Sequence, residues 1–224
     1  MTTKKQINRL LGELVERNPD LARSDRFVII KPLRHVLRSI SIDRSITADT
    51  PQLLCSIGHF FDPTANRQGI TLDRFFTARG APHRWTEPGM PAAFFEACET
   101  RILPKLRGVD TIEDMLRFRT LGSSEFKAAV RWVIHQIHFA AAYGRFDRAL
   151  RRFQRIKHWD RSRMSWRRLE FEHVADELVP LMRANDRDGV IRLLHRWEED
   201  RVRRFGLESI YEPTPFPLEL AAGA

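Results

Sequence analysis

The sequence predicts an α+β protein: a small antiparallel sheet with an N-terminal helix, followed by a helical domain of stacked antiparallel hairpins. Three observations carry this expectation. Between Arg26 and Thr77, short β-branched and aromatic runs alternate with turn residues. From Pro91 onward, apolar residues recur at helical spacing almost without a break. Between the two patterns lies a cluster of breakers, Gly80, Pro82, Pro88, Gly89 and Pro91, which suits a linker over Ala78–Pro91. The expected division is a sheet domain at 1–85 and a helical domain at 86–224 that ends in an irregular tail.

In chain order, Ile7, Leu10, Leu11, Leu14 and Val15 share one helical face, so Thr3–Arg17 opens the protein as a helix, broken at Asn18-Pro19-Asp20. Four strands follow: Phe27–Lys31, Val36–Asp43, Leu53–Phe61 and Ile70–Thr77. The second alternates Val36, Ile40 and Ile42 with Ser39, Ser41 and Asp43, as a half-buried strand does. Residues 62–69 read as the hairpin loop joining the last two. Helices are expected at about 91–107, 110–119, 123–143, 145–158, 164–184 and 186–205, the third capped by Ser123 or Ser124 with Glu125 behind it. Pro213, Pro215 and Pro217 keep the tail irregular.

The segment Gly144-Arg145-Phe146-Asp147-Arg148-Ala149-Leu150-Arg151-Arg152-Phe153 is similar to the inter-helix turn and second helix of a tetratricopeptide repeat. Shifted by 41 residues, Asn185, Asp188, Val190, Ile191 and Leu194 take the places of Gly144, Asp147, Ala149, Leu150 and Phe153. That offset exceeds the roughly 34-residue period of the family. The reading is therefore of helix hairpins, at least two of them stacked side by side, and not of membership.

A chain of 224 residues, 42% of them hydrophobic, buries a substantial core. No run approaches the roughly 18 apolar residues of a membrane span, and Met1–Asn8 lacks the apolar stretch of a secretory signal. A cytoplasmic protein with no membrane partner is expected. Two cysteines, Cys55 and Cys98, are too few for a disulfide framework and read as buried thiols.

The net charge of +9 is unevenly held: +5 over 1–90, +1 over 91–143, +8 over 144–168 and −5 over 169–224. Arg145, Arg148, Arg152 and Arg155 fall on one helical face with Arg151 beside them, opposite Phe146, Ala149, Leu150, Phe153 and Ile156. Arg161, Arg163, Arg167 and Arg168 follow, with Trp159 and Trp166 among them. Arginine grips phosphate through paired hydrogen bonds and tryptophan offers a stacking face, so Arg145, Arg148, Arg151, Arg152, Arg155, Arg163, Arg167, Trp159 and Trp166 form the candidate anion or nucleic-acid site. The competing expectation is internal neutralisation by Glu170, Glu172, Asp176, Glu177, Glu198, Glu199 and Asp200.

Three other groupings read as structural. His135 and His138 are three apart, as are Glu170 and His173, but a di-metal bundle needs two Glu-x-x-His pairs and further carboxylates, and no metal is expected. Cys55 and His59 share a strand face among apolar neighbours that would not activate a thiol. Lys31-Pro32-Leu33-Arg34-His35 with Arg38 and Arg44 forms either an anion-binding rim or a place where a partly buried Arg38 needs a carboxylate such as Asp73. No phosphate loop, nucleophile elbow or zinc-protease signature occurs, so no catalytic residue and no cofactor are assigned. The expected function is a non-enzymatic binding or adaptor protein that docks a protein partner on its helical stack. The alternatives are a nucleic-acid or polyanion binder working through 145–168, and an enzyme with a cleft between sheet and helices.

Overall fold

The computed structural model describes residues 3–43, 49–64, 83–120, 130–156 and 168–221. The fold is α+β, with a four-stranded antiparallel sheet in the order β1-β2-β3-β4 and a mostly helical remainder. The chain divides into two compact units. The sheet unit comprises Met1–His59, Arg67–Met115 and Phe205–Glu212; the helical unit comprises Phe60–Asn66, Leu116–Arg204 and Pro213–Ala224.

Helix α1 (Lys4–Arg17) begins in a capping box, with Gln6 N donating to Thr3 Oγ1 and Thr3 N donating to Gln6 Oε1. Its stripe of Ile7, Leu10, Leu11 and Leu14 is buried. Asn18 ends it, its side-chain amide returning to Leu14 O at 2.9 Å.

Strand β1 (Leu21–Ser24) has no signature in the sequence. It pairs with β2 (Phe27–Ile30) across a tight turn in which Asp25 takes φ 52°. Leu21 and Ala22 are its only apolar residues, and a short edge strand is held by backbone bonds that leave no side-chain pattern. Strand β3 (Val36–Asp43) has the expected bounds and pairs with β2 on one side and β4 (Gln52–His59) on the other. Its polar positions are not solvated: Ser39 and Ser41 are as buried as Ile40, since a central strand of a covered sheet has no open face. Helix α1 packs on β1 and β2. The expected strand 70–77, most of the expected hairpin loop and the Ser123–Glu125 cap lie outside the described residues.

The expected helix 91–107 forms as α2 (Met90–Glu96), a π-helical stretch over Ala97–Ile102, and α3 (Leu103–Arg107), which packs on β3. Pro104 explains the interruption. It has no N–H to give, and its ring crowds the carbonyl four residues back, so the helix widens and Leu103 N bonds to Cys98 O five residues away. The same device recurs in the helical unit, where α7 (Arg168–His173), a π-helical stretch over Val174–Leu178 and α8 (Val179–Arg183) replace the expected 164–184. There Pro180 follows Val179, whose N–H reaches Val174 O.

The other helices among the described residues before the tail are α4 (Ile112–Thr120), α5 (Val130–Ala142), α6 (Phe146–Ile156) and α9 (Arg187–Phe205). The tail corrects the expectation of irregularity. It holds a 3-10 turn (Glu208–Ile210) and one helical turn, α10 (Pro217–Leu220), with Phe216 and Leu218 fully buried. Proline at the first helical position is compatible with a helix start, which is why Pro217 opens α10 instead of preventing it.

Candidate nucleic-acid interface

Two turns of the same build place the arginine-rich helix. After α5, Gly144 takes φ 68°, Gly144 N donates to Ala141 O at 2.8 Å and Arg145 N to Ala140 O at 2.8 Å. After α8, Asn185 takes φ 51°, Asn185 N donates to Met182 O at 3.2 Å and Asp186 N to Leu181 O at 3.0 Å. Both are Schellman caps, in which a left-handed residue lets the chain reverse while its amides satisfy the last carbonyls of the helix. The 41-residue correspondence thus holds in backbone conformation as well as in sequence. Gly144 is tightly surrounded: a Cβ there would lie 2.7 Å from Leu218 Cδ1 and 3.0 Å from Arg187 Nη2.

From this turn α6 runs with Phe146, Ala149, Phe153 and Ile156 buried against α5 and α8. Phe153 stacks on Phe171 of α7 at 5.5 Å. Leu150, expected on the same face, is only half-buried. The opposite face carries Arg148, Arg151 and Arg155, all exposed, with exposed Arg145 at its start lying over the Tyr143 ring at 5.2 Å. Arg152 is half-buried and donates from Nε to Gln136 Oε1 of α5 at 2.8 Å. Its pKa is pushed down, first by burial and then by Arg148, Arg155 and Arg151.

Among the described side chains, the carboxylates expected to neutralise this face form no ion pair with it. Glu177 takes Arg196 and His173, Asp200 takes Arg203, Glu198 is buried 4.0 Å from His195, and Asp176 and Glu199 are exposed. Among the described residues, no ion pair reaches Arg145, Arg148, Arg151, Arg152 or Arg155. Trp159, Arg161, Arg163, Trp166 and Arg167 lie outside the described residues, as do the side chains of Arg168 and Glu170. No family model, curated protein or solved structure matches this chain.

The other groupings sort differently. His135 and His138 are buried on α5, and the residue they share is Asp62, expected at the start of a hairpin loop. Asp62 Oδ1 accepts from Thr64 N at 3.0 Å and Thr64 Oγ1 at 2.9 Å, while Oδ2 lies 3.8 Å from His135 Nε2. Burial pushes the His138 pKa down against the pull of Asp62, with His173 and Arg201 lowering it further. Its ring meets Trp197 edge-on at 5.5 Å. Arg201, unflagged in the sequence, is also buried, over the Phe60 ring at 4.2 Å and donating to Phe60 O at 3.0 Å. Its spacing on an amphipathic helix was the available signal: Val190, Leu194, Trp197 and Arg201 are three or four apart.

In the sheet unit, Cys55 and His59 are buried on β4, and burial drives the Cys98 thiol pKa upward. These are the surroundings of inert thiols. Arg38 is 4% exposed and does need a carboxylate, but the partner is Asp110, at 3.0 Å. Asp73, the partner expected, lies outside the described residues. Burial lowers the Arg38 pKa, Asp110 opposes that, and Arg34 adds to it.

Proposed function

We propose that this protein is a non-enzymatic nucleic-acid binder that lays the arginine face of α6 along a phosphate backbone. The observation that carries the reading is the run of Arg145, Arg148, Arg151, Arg152 and Arg155 on one helix, with mutual repulsion acting on Arg152 and no carboxylate among the described residues to relieve it. Such a face gains by taking phosphates as counter-charges and releasing the ions condensed on the nucleic acid. At 1.5 Å rise per residue the stripe from Arg145 to Arg155 is about 15 Å long, a reach of several phosphates. Docking of a protein partner on the helical stack, the first expectation from the sequence, has less support. Among the described residues Leu220 is the one large apolar side chain that is exposed, and apolar anchors dominate protein interfaces.

The test is retention on a 20-base-pair DNA duplex as a function of salt. The wild-type chain is expected to show a linear fall of log affinity with log salt. Replacing Arg148, Arg152 and Arg155 by glutamine is expected to flatten that slope by about three at an unchanged melting temperature. A wild-type chain that shows no salt-dependent retention rejects the proposal, as does a triple variant that binds like wild type.

A further inference from the structure

The arginines of the sheet unit that meet carboxylates do so in two ways. Arg17 uses its whole side-on fork, with Nε and Nη2 donating to the two oxygens of Glu99 at 2.7 and 2.8 Å. Arg107 does the same to Asp20, at 2.8 Å on both sides. These are the parallel, bidentate pairs that guanidinium geometry favours. Arg34 departs from them. Its Nη1 donates to Asp110 Oδ2 at 2.8 Å, but on the other side Nη2 alone spans both oxygens of Glu212, at 3.1 Å each. Its Nε is buried and has no acceptor among the described residues. Glu212 therefore engages one donor of the Nε/Nη2 edge and leaves the other without an acceptor.

Arg38 stands behind Arg34 and strengthens the case. It is buried, its Nη1 lies 3.0 Å from Asp110 Oδ1 in an ion pair, its Nη2 donates to Pro32 O at 2.9 Å, and its Nε likewise has no acceptor among the described residues. The two guanidinium groups share one contacting carboxylate, Asp110, with Asp20 acting on Arg38 from farther away, so Glu212 supplies the second negative charge in direct contact. Glu212 is the least committed member. Its side chain is 50% exposed, and it sits at the end of a strap, 207–212, that is held independently through its backbone. Leu33 N donates to Ile210 O at 2.8 Å, and Glu212 N donates to Leu33 O at 2.9 Å. The carboxylate can swing into solvent without releasing the strap.

We propose that Arg34, backed by Arg38, is a binding site for an oxyanion with two coplanar oxygens, the phosphate or carboxylate group of a small ligand, and that Glu212 is a resident acceptor displaced when that ligand binds. With Glu212 swung away, Asp110 is the one carboxylate left in contact with the two guanidinium groups, and the net positive charge together with the vacated Nη2 donor and the unpaired Nε beside it favours an incoming anion. This site does not depend on the arginine face of α6.

The experiment is carried out on the full chain with Arg148, Arg152 and Arg155 already replaced by glutamine, so that α6 does not contribute, and inorganic phosphate is titrated by calorimetry. In that background E212Q is expected to bind phosphate at least ten-fold more tightly than the chain that keeps Glu212. Adding R34K, which retains the positive charge and removes the fork, is expected to abolish the gain. Acetate in place of phosphate separates the two chemistries: an equal response assigns the site to carboxylates as well, and a response to phosphate alone assigns it to phosphates. E212Q binding no more tightly than its parent overturns the proposal, and so does R34K keeping the full response. Wild-type protein provides a check that needs no substitution, because phosphate should shift the Arg34 Nε–H resonance; an unmoved resonance at saturating phosphate also rejects the site.

Discussion

The arginines of the sheet unit and those of α6 are the same residue put to opposite uses. Arg17, Arg34, Arg38 and Arg107 each reach a carboxylate brought from a distant part of the chain, Glu99, Asp110, Glu212 or Asp20, and tie helices, loops and the 205–212 segment to the sheet. The five arginines of α6 reach one side-chain amide, one aromatic ring and otherwise each other. The lesson is that local density of positive charge does not say what a basic residue is for. Partners separated by tens of residues decide it, and a run of arginines on one turn-to-turn stretch is the arrangement least able to find them, since like charges occupy the nearest positions.

The largest expected effect tests that contrast directly. Arg38→Met removes a buried guanidinium and should destabilise the protein by about 2 kcal/mol, below the full cost of breaking a buried pair because Asp110 is partly exposed and keeps Arg34. Arg152→Gln should change stability by less than about 0.5 kcal/mol, or raise it slightly as repulsion falls. Urea unfolding of the two variants measures both, and equal losses would erase the distinction.

A comparable loss is expected where the turn aims α6. Gly144→Ala forces a side chain into a left-handed backbone and against Leu218, which should cost about 2 kcal/mol, whereas Asn185→Gly, at the matching turn, should be neutral or stabilising. Thermal unfolding of the pair tells whether the glycine is demanded by φ and crowding together or by φ alone.

The smallest effect sharpens the contrast from the side of burial. The folded pKa of His138 is held below its usual 6.5, chiefly by burial, so below that pH the unfolded chain binds the proton that the folded chain refuses. The contribution of a neutral His138 is therefore complete above pH 6.5 and is lost as pH falls toward the lower folded value. Stability measured from pH 7.5 to 5 should fall less steeply in His138→Gln. Replacing the α6 arginines should leave that slope unchanged.

Legibility followed the range of the interaction. Helix α1 and strand β3 were readable to within a residue because Ile7, Leu10, Leu11 and Leu14, and Val36, Ile40 and Ile42, carry their period in the side chains. The hairpin turns were readable because a left-handed residue must be glycine or something tolerant such as Asn185. Strand β1 was not, since its pairing is made by backbone. The π-helical stretches were half-readable: Pro104 and Pro180 announce a disturbed helix, but whether it kinks, breaks or widens depends on the packing of its buried face.

The sequence by itself determined the α+β class, the places of most described helices and strands, and the amphipathic split of α6, all of them consequences of residues within one or two turns of each other. Tertiary structure alone decided that Ser39 and Ser41 are buried, that Asp110 is the partner of Arg38, that Asp62 lies beside His135 and that Arg201 is enclosed. These are properties of pairs far apart in the chain, and a charged or polar side chain carries no mark of which distant group will meet it. The cost of burying a charge makes some partner necessary, and only the path of the chain chooses which.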